Sequence, residues 1–364
     1  MTERKKILHL IPRFSFGGAE MLLLEQVRRL DRSKYEIRVA AVRDGGDLEK
    51  YFKEAGVEIF SILPKRDGGI WWQWSALKKY VRDYNPDLIH SHIFSSDIYG
   101  LLLRRLVAPK AKWISTQHNV EFNTSWPRRL AWNFILPQAD RVIAVSRAVY
   151  DYTHEYFGVL KDKIDLLPNG VVLEKWLSVP ELKFMSKKKL HLATIGRLES
   201  QKGHRYLVEA LSMLKDLDWH WDIYGEGSLA VYLQEKLKKY GLEKRVSWHG
   251  AEGGIEEKMK EIDIIIQPSL WEGRSLVVME AMAAGRLLIA TTEAGKELVE
   301  HGENGHLVPV KDAVELAKVI RYYSDHSTEA ERLAHNARVY ARDHFDLKDN
   351  VIGLEEIYDE FFSS

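Results

Sequence analysis

The chain has 364 residues, a length that suits two domains better than one. Hydrophobic residues make up 45% of it and charged residues 29%, as in ordinary globular proteins. It contains no cysteine, which excludes disulfides, cysteine-ligated metal sites and a cysteine nucleophile.

Charge is unevenly distributed along the chain. The 53 basic and 53 acidic residues cancel overall, but residues 1–178 carry +7 and the remainder −7. A basic first half favours contact with an anionic membrane surface or an anionic acceptor. A solvated surface without a partner explains the charge equally well. Nothing in the sequence resembles a nucleic-acid-binding module.

No segment has the pattern of a membrane span or a secretory signal. The apolar run Ile7–Ile11 is too short for the core of a signal peptide and predicts a first strand. No stretch approaches the roughly 20 apolar residues that a spanning helix needs. We therefore expect a cytoplasmic protein and leave open whether it also binds the cytoplasmic face of the membrane.

Short apolar strands alternate with helical patterns, which is typical of parallel sheets covered by helices. The first set of predicted strands is Ile7–Pro12, Ile37–Val42, Val57–Ile62, Leu88–His92, Trp113–Gln117 and Val142–Ser146. The pattern stops near Pro168 and restarts after a lysine-rich stretch. The second set is His191–Ile195, Trp221–Tyr224, Val246–His249, Ile262–Pro268, Leu287–Ala290 and His306–Val308.

These patterns predict an α/β protein with two doubly wound, Rossmann-like domains facing each other across a cleft. The first domain is predicted to comprise residues 1–175, joined by a C-terminal helix at about 345–364. The second comprises residues 176–344, with a hinge around 170–189. Ligands of such sheets bind at the carboxyl ends of the strands, so the cleft is the expected site.

Two predicted loops between a strand and a helix carry phosphate-binding features. Gly17 and Gly18 follow the first strand, where paired glycines let a ligand approach the N-terminus of a helix. Arg197 and Lys202 lie five residues apart after the first strand of the second domain. Two such cations can replace the metal that a diphosphate leaving group otherwise needs. A tight turn and two solvated charges are the structural alternatives.

A third loop places two glutamates seven residues apart, Glu272 and Glu280. A helix is predicted over Leu276–Ala284, with Glu272 before it and Glu280 about two turns into it. A carboxylate buried there needs hydrogen-bonding partners, and ribose hydroxyls would be suitable. The free N–H groups at the helix start can hold a sugar hydroxyl or a phosphate. A capped helix with one solvated glutamate is the alternative.

The Glu-x7-Glu element, the early Gly-Gly-Ala-Glu, the Gly-Arg…Lys-Gly loop and the Pro-Asn-Gly-Val before the hinge occur here in one order. That order resembles the retaining glycosyltransferases of family four, which have the GT-B fold. The resemblance spans Ile7 to about Pro309. It implies a hexosyltransferase-type enzyme that transfers a sugar from a nucleotide-diphosphate sugar with retention. The implied acceptor is a glycan or lipid-linked glycan, as in cell-surface polysaccharide or lipopolysaccharide synthesis, and no metal or other cofactor is required.

The resemblance also implies roles for individual residues. The implied catalytic residues are His118, Arg197, Lys202 and Glu272. The implied donor-binding residues are Gly17, Gly18, Gly196, Gly273, Arg274, Ser275, Leu276 and Glu280. Among these, Glu280 would bind the ribose, Glu272 the donor sugar, and His118 would face the reacting sugar. Arg274 and Ser275 depart from the family's usual apolar or aromatic residue followed by glycine. Arg274 therefore either reads an unusual donor sugar or points to solvent.

Other functions and the acceptor remain open at this stage. A nucleotide-sugar epimerase, a phosphorylase or a non-catalytic nucleotide-sugar-binding protein would carry similar motifs. Two stretches combine tryptophan with basic residues: Trp71–Trp74 followed by Lys78 and Lys79, and Trp126–Trp132. Such stretches suit a membrane interface and a lipid-linked acceptor. Tryptophans packed in the core or lining a sugar site are the alternative.

Overall fold

The computed structural model describes residues 3–43, 45–61, 69–120, 125–183 and 189–363. It consists of two compact units. Unit 1 is Met1–Asn169 with Lys348–Ser364, and unit 2 is Gly170–Leu347. The chain therefore passes from unit 1 to unit 2 six residues before the boundary predicted after residue 175.

Unit 1 is built on a seven-stranded sheet in which all strand pairs are parallel. Its strands are β1 Lys5–Ile11, β2 Tyr35–Ala41, β3 Glu58–Ser61, β4 Leu88–His92, β5 Lys112–Gln117, β6 Arg141–Ala144 and β7 Ile164–Leu166. Its first helices are α1 Gly18–Val27, α2 Glu49–Glu54, α3 Gly69–Tyr84, α4 Ile93–Leu106, α5 Trp126–Ile135 and α6 Arg147–Phe157. The spatial order β3-β2-β1-β4-β5-β6-β7 reverses direction between β1 and β4, where ligands of doubly wound sheets bind.

Unit 2 repeats this arrangement with six parallel strands in the order β10-β9-β8-β11-β12-β13. The strands are β8 Leu190–Ile195, β9 Trp219–Tyr224, β10 Val246–Gly250, β11 Ile264–Gln267, β12 Leu287–Thr291 and β13 His306–Val308. The helices are α7 Leu173–Leu177, α8 His204–Ser212, α9 Ala230–Tyr240, α10 Ile255–Met259, α11 Leu276–Ala283, α12 Thr292–Gly295, α13 Ala313–Asp325 and α14 Ser327–His344. The last helix, α15 Leu347–Ser363, belongs to unit 1 except for its first residue.

The central strands are apolar throughout because helices cover both faces of the sheet. In β11, Ile264 and Ile266 pack into the core beneath α8 and α13, whereas Ile265 packs into the opposite core with α11 and α14. Successive side chains of a strand point to opposite faces, so a run of isoleucines serves two cores. The predicted pair of doubly wound, Rossmann-like domains is confirmed.

The sequence patterns missed one strand and merged several helices. β7 has three residues and shows too little alternation to be recognised. The helical pattern predicted from about 312 to 361 is three separate helices, α13, α14 and α15. Within the described parts of the chain, no helix has the length and apolarity that crossing a bilayer requires.

Candidate functional site

Two loops of unit 2 meet where its strand order reverses, at the carboxyl ends of β8 and β11. Leu270 N donates to Gln201 O at 2.7 Å, and Gln201 Nε2 donates to Trp271 O at 2.9 Å. Gly203 has a φ of +65°, and a Cβ there would lie 1.9 Å from Pro268 O. Only glycine fits at position 203, because any larger residue would collide with the backbone of the other loop. The two loops are thus held together by close packing at Gly203 and by one backbone and one side-chain hydrogen bond.

Lys202 and Glu272 form an ion pair between these loops. Lys202 Nζ donates to Glu272 Oε1 at 2.6 Å, and the two side chains are only 14% and 10% exposed. The same oxygen accepts from Ser269 Oγ at 2.7 Å and from Gln267 Nε2 at 3.1 Å. Charge-assisted bonds shielded from water are strong and geometrically defined. The alternative of a freely solvated lysine at position 202 is therefore wrong.

The two cations predicted in the loop after β8, Arg197 and Lys202, lie in different environments. Gly196 has a φ of +139°, and a Cβ there would lie 3.3 Å from Lys202 Cε, so the lysine stem passes over the glycine. Arg197 is exposed. Hydrogen bonds from Ser228 lower the pKa of Glu199, and the charge of Arg197 adds to that effect. The structure thus joins Lys202 to Glu272 and leaves Arg197 at the surface.

Glu280 lies four residues after the helix start at Leu276, which was predicted correctly, but the predicted number of turns was wrong. Ser275 is the N-cap residue of α11 and Leu276 its first residue, so Glu280 is about one turn inside, not two. Burial raises the pKa of Glu280 to about 7, with a smaller opposing effect from Lys175. Its carboxylate has no hydrogen-bond partner among the described residues. A partly buried carboxylate of this kind is suited to receive ligand hydroxyls.

Arg274 packs inside unit 2, next to Gly273. Its guanidinium carbon stands 5.6 Å from the centroid of the Phe345 ring, and burial lowers the pKa of the arginine. A cation over an aromatic face is a stabilising arrangement. The alternative in which Arg274 points to solvent is therefore wrong. Its predicted contact with the donor stays a prediction.

In unit 1 the paired glycines open α1. Gly17 is the N-cap residue, with an extended φ of −136°, and Gly18 is the first helical residue. A Cβ on Gly17 would lie 2.4 Å from Oε2 of the buried Glu20. The close packing of Glu20 against Gly17 therefore explains the glycine at this position without a ligand. A role in ligand binding stays a prediction for both glycines.

His118 follows β5 and ends a chain of buried histidines that the sequence interpretation missed. His118 Nε2 lies 3.1 Å from His92 Nδ1, and His92 Nε2 lies 3.1 Å from His9 Nδ1. Burial lowers the pKa of His118 to about 4 and that of His9 to about 3, so both rings are neutral at pH 7. The His-x-His spacing in β4 was the available signal, because alternate residues of a strand share a face.

A fourth histidine, His90, completes the cluster. Its ring nitrogens bond to Tyr358 Oη and Thr116 Oγ1, each at 2.6 Å. Nitrogens of His9, His90 and His92 lie within 4.8 Å of one another, a spacing that a metal ion can span. Because both nitrogens of His90 already have partners, hydrogen bonding accounts for its position without a metal.

On the opposite face of the same sheet, a buried aspartate braces the strand that leads to His118. Asp97 accepts from Ser91 Oγ at 2.7 Å, from Ser115 Oγ at 2.6 Å and from Gln117 Nε2 at 3.0 Å. Burial raises the pKa of Asp97, while these hydrogen bonds oppose the shift. This network was also missed, because its members are dispersed along the chain. It fixes Gln117, the residue immediately before His118.

Comparison with known proteins gives two family matches that together span most of the chain. Residues 16–175 match the model described as Glycosyltransferase Family 4, and residues 189–326 match Glycosyl transferases group 1. One curated relative is the Escherichia coli UDP-Gal:alpha-D-GlcNAc-diphosphoundecaprenol alpha-1,3-galactosyltransferase, 24% identical over 329 residues and 84% of each chain. Another is the Bacillus anthracis N-acetyl-alpha-D-glucosaminyl L-malate synthase, 24% identical over 362 residues and 94% of each chain.

Solved structures agree on the fold. Anabaena Alr3699/HepE, crystallised in complex with UDP-glucose, superposes with a TM-score of 0.86 at 20% identity, covering 98% of this chain and 99% of that one. WaaG, a glycosyltransferase involved in lipopolysaccharide biosynthesis, superposes with a TM-score of 0.75 at 16% identity, covering 96% and 99%. At such identities the likeness establishes the architecture of two Rossmann-like domains and no more.

Proposed function

Because the chain belongs to the glycosyltransferases, with family 4 in its first half and group 1 in its second, we propose that it is a retaining, hexosyltransferase-type enzyme. It moves a sugar from a nucleotide-diphosphate donor to a glycan or lipid-linked acceptor. The acceptor oxygen bonds to the anomeric carbon as the bond to the diphosphate breaks. The acceptor proton passes to the leaving phosphate. The transition state has oxocarbenium character, and negative charge grows on the departing diphosphate.

The observation that carries this proposal is the shielded Lys202–Glu272 pair where the strand order of unit 2 reverses. Lys202, aided by the exposed Arg197, stabilises the charge on the leaving diphosphate more strongly in the transition state than in the ground state. Glu272 orients Lys202 and contacts the donor sugar. Since two cations neutralise the diphosphate, the reaction needs no metal ion.

The remaining predicted residues are proposed to hold the donor. Glu280 accepts hydrogen bonds from the ribose hydroxyls, which supply the partners that its carboxylate lacks among the described residues. His118 contacts the reacting sugar. The glycines and the start of α11 approach the phosphates and sugar through backbone N–H groups. The residues in this last group are Gly17, Gly18, Gly196, Gly273, Arg274, Ser275 and Leu276.

We propose a uridine diphosphate sugar as the donor. The E. coli relative is named for UDP-Gal, and the Anabaena protein was crystallised with UDP-glucose. A titration of the protein with UDP, GDP and ADP, followed by thermal unfolding in EDTA, tests this choice. At 100 times its Kd, UDP is expected to add about 2.7 kcal/mol to the free energy of unfolding. GDP and ADP are expected to add much less.

Two variants separate specific binding from nonspecific charge effects. Arg197→Ala is expected to weaken stabilisation by UDP, whereas Arg342→Ala, an exposed arginine on α14, leaves it unchanged. Stabilisation that appears only after magnesium is added would contradict metal independence. No stabilisation by any nucleotide, with or without magnesium, would remove the proposed donor class.

For the acceptor we propose a lipid-linked glycan presented at an anionic membrane. The E. coli relative's name specifies a diphosphoundecaprenol-linked sugar. In unit 1, α5 exposes an apolar stripe of side chains four residues apart: Trp126, Leu130 and Phe134, 73%, 48% and 65% exposed. Arg129 is also on this helix. Trp132, by contrast, is buried against Phe94 at a ring-centroid distance of 4.6 Å and belongs to the core.

The neighbouring helix α4 also exposes apolar side chains. On α4, Leu102 and Leu106 are exposed and four residues apart, and Arg104 and Arg105 lie beside them. An apolar stripe flanked by arginines is the composition of a helix that lies in a membrane interface with anionic lipids. Of the other predicted stretch, Trp72 is exposed and the side chain of Trp71 lies outside the described residues.

The stripe can be tested by vesicle flotation. Replacing Trp126 and Phe134 by serine is expected to lower binding to anionic vesicles roughly tenfold or more, since each buried apolar side chain contributes on the order of 1 kcal/mol. The matched control replaces two exposed valines of unit 2, Val231 and Val314, by serine and should bind like the unmodified protein. Equal loss in both pairs, or no vesicle binding at all, would contradict membrane docking through α5.

A further inference from the structure

His9, His92 and His118 form a chain of two nitrogen–nitrogen contacts with two distinct ends. Both contacts measure 3.1 Å. At one end, His9 Nε2 is fully buried without a hydrogen-bond partner among the described residues. At the other end, His118 Nδ1 likewise lacks a partner within the described part of the chain, but this ring is partly exposed. One end is therefore sealed in the core and the other can meet a ligand.

The three rings must share one proton arrangement. Burial lowers the pKa of all three, so each ring is neutral and carries one N–H. Each contact needs one hydrogen between its two nitrogens. Both contacts are satisfied only if every ring is protonated on Nδ1 or every ring on Nε2. Any mixture puts two hydrogens or two lone pairs into one contact, so His92 ties the tautomer of His118 to that of His9.

The sealed end selects between the two arrangements. With every ring protonated on Nε2, His9 would bury an N–H with no acceptor, which folded proteins rarely do. With every ring protonated on Nδ1, only an acceptor nitrogen is left unpaired. We propose that His9 and His92 hold His118 in its Nδ1-protonated tautomer, so that His118 presents a hydrogen-bond donor at the open end of the chain. His92 is thus a positioning residue.

The consequence for catalysis rests on the proposed function, because the ligand that receives this hydrogen bond is taken to be the donor sugar. His118 donates to a sugar oxygen through Nδ1. It does not remove the acceptor proton through that nitrogen, since the nitrogen already carries a hydrogen and Nε2 accepts from His92. This division of roles leaves the acceptor proton to the leaving phosphate.

The tautomer can be read directly in the protein without any ligand. Protein selectively labelled with 15N at its 14 histidines gives ring spectra that show which nitrogen carries hydrogen, with His118 assigned through His118→Gln. We expect His118 to be protonated on Nδ1. In His92→Phe, which keeps a ring but removes both nitrogens, His118 should shift to the Nε2-protonated form that free imidazoles prefer. In His92→Gln, whose amide can donate to Nε2, the Nδ1 form should persist.

A control variant and a metal titration make the test specific. Tyr358→Phe removes a partner of His90 and should leave the His118 tautomer unchanged. Protonation of His118 on Nε2 in the unmodified protein, or an unchanged tautomer in His92→Phe, would overturn the proposal. So would stoichiometric Zn²⁺ binding at His92, since a metal would replace the hydrogen-bonded chain. These spectra need no nucleotide, so their outcome and that of the UDP titration are independent.

Discussion

Replacing Lys202 by methionine is expected to lower kcat/KM by about 10²–10³, the loss typical of removing one preorganised group that stabilises transition-state charge. Methionine keeps the length of the side chain as far as the ε position but removes the ammonium that donates to Glu272 Oε1 at 2.6 Å. The effect is measured from the initial rate of sugar transfer. Without an acceptor, the slower rate of donor hydrolysis is measured instead. Turnover within threefold of the unmodified enzyme would show that Lys202 does not act on the leaving group.

A double variant distinguishes a chemical role from a purely structural one. Lys202→Met leaves the Glu272 carboxylate largely buried, with Ser269 and Gln267 as its only remaining hydrogen-bond donors among the described residues, so the single variant should also lose stability. Adding Glu272→Gln removes the uncompensated charge and should restore much of the melting temperature. Activity should stay low in the double variant. Recovery of activity together with stability would mean that the pair serves folding alone.

Replacing Glu280 by glutamine is expected to raise the free energy of unfolding at pH 8 by up to about 3 kcal/mol, with little change near pH 4.5. The pKa of Glu280 is raised from 4.5 to about 7 in the folded protein. Between these values the folded state binds more protons than the unfolded state, so stability falls as pH rises through this window. Glutamine has no charge to bury and removes that loss.

Denaturant unfolding at pH 5 and pH 8 measures this effect, with Glu235→Gln on α9 as the exposed control. The same variant should bind UDP more weakly, because a carboxylate accepts two ribose hydroxyls better than an amide does. Nucleotide binding to the unmodified protein below pH 7 should release a proton, measurable by calorimetry in buffers of different ionisation enthalpy. If Glu280→Gln were less stable than the unmodified protein at pH 8, the carboxylate of Glu280 would have stabilising partners in the folded state, contrary to this prediction.

Several strands, helices and loops that are encoded by neighbouring residues were predicted correctly from the sequence. Strand β4 was predicted at its observed bounds, and the apolar run that became β11 required helices on both faces of its sheet. The Glu272 loop and the start of α11 at Leu276 were also predicted correctly, and the helix ends at Ala283, one residue before its predicted end. The glycosyltransferase interpretation is confirmed by the two family matches.

Contacts that depend on the register between strands could not be predicted from the sequence. His9 and His90 are neighbours only because β1 pairs with β4 in the register that aligns them. Nothing within either segment encodes that alignment, since the two histidines are separated by 80 intervening residues. The bond between Lys202 and Glu272 likewise spans 70 positions. The sequence showed that Lys202 and Glu272 each lie next to a glycine, but it did not predict that the two side chains contact each other.

The return of the chain to unit 1 through α15 has a consequence for biosynthesis. Gln26 bonds to Asn350 at 2.8 Å and His90 to Tyr358 at 2.6 Å, so α1 and β4 rely on residues that are translated 324 and 268 positions later. On the ribosome, unit 2 has its whole continuous sequence before unit 1 receives its final helix. A nascent chain therefore carries an unfinished first unit until α15 has been made, and His90 gains its Tyr358 partner only then.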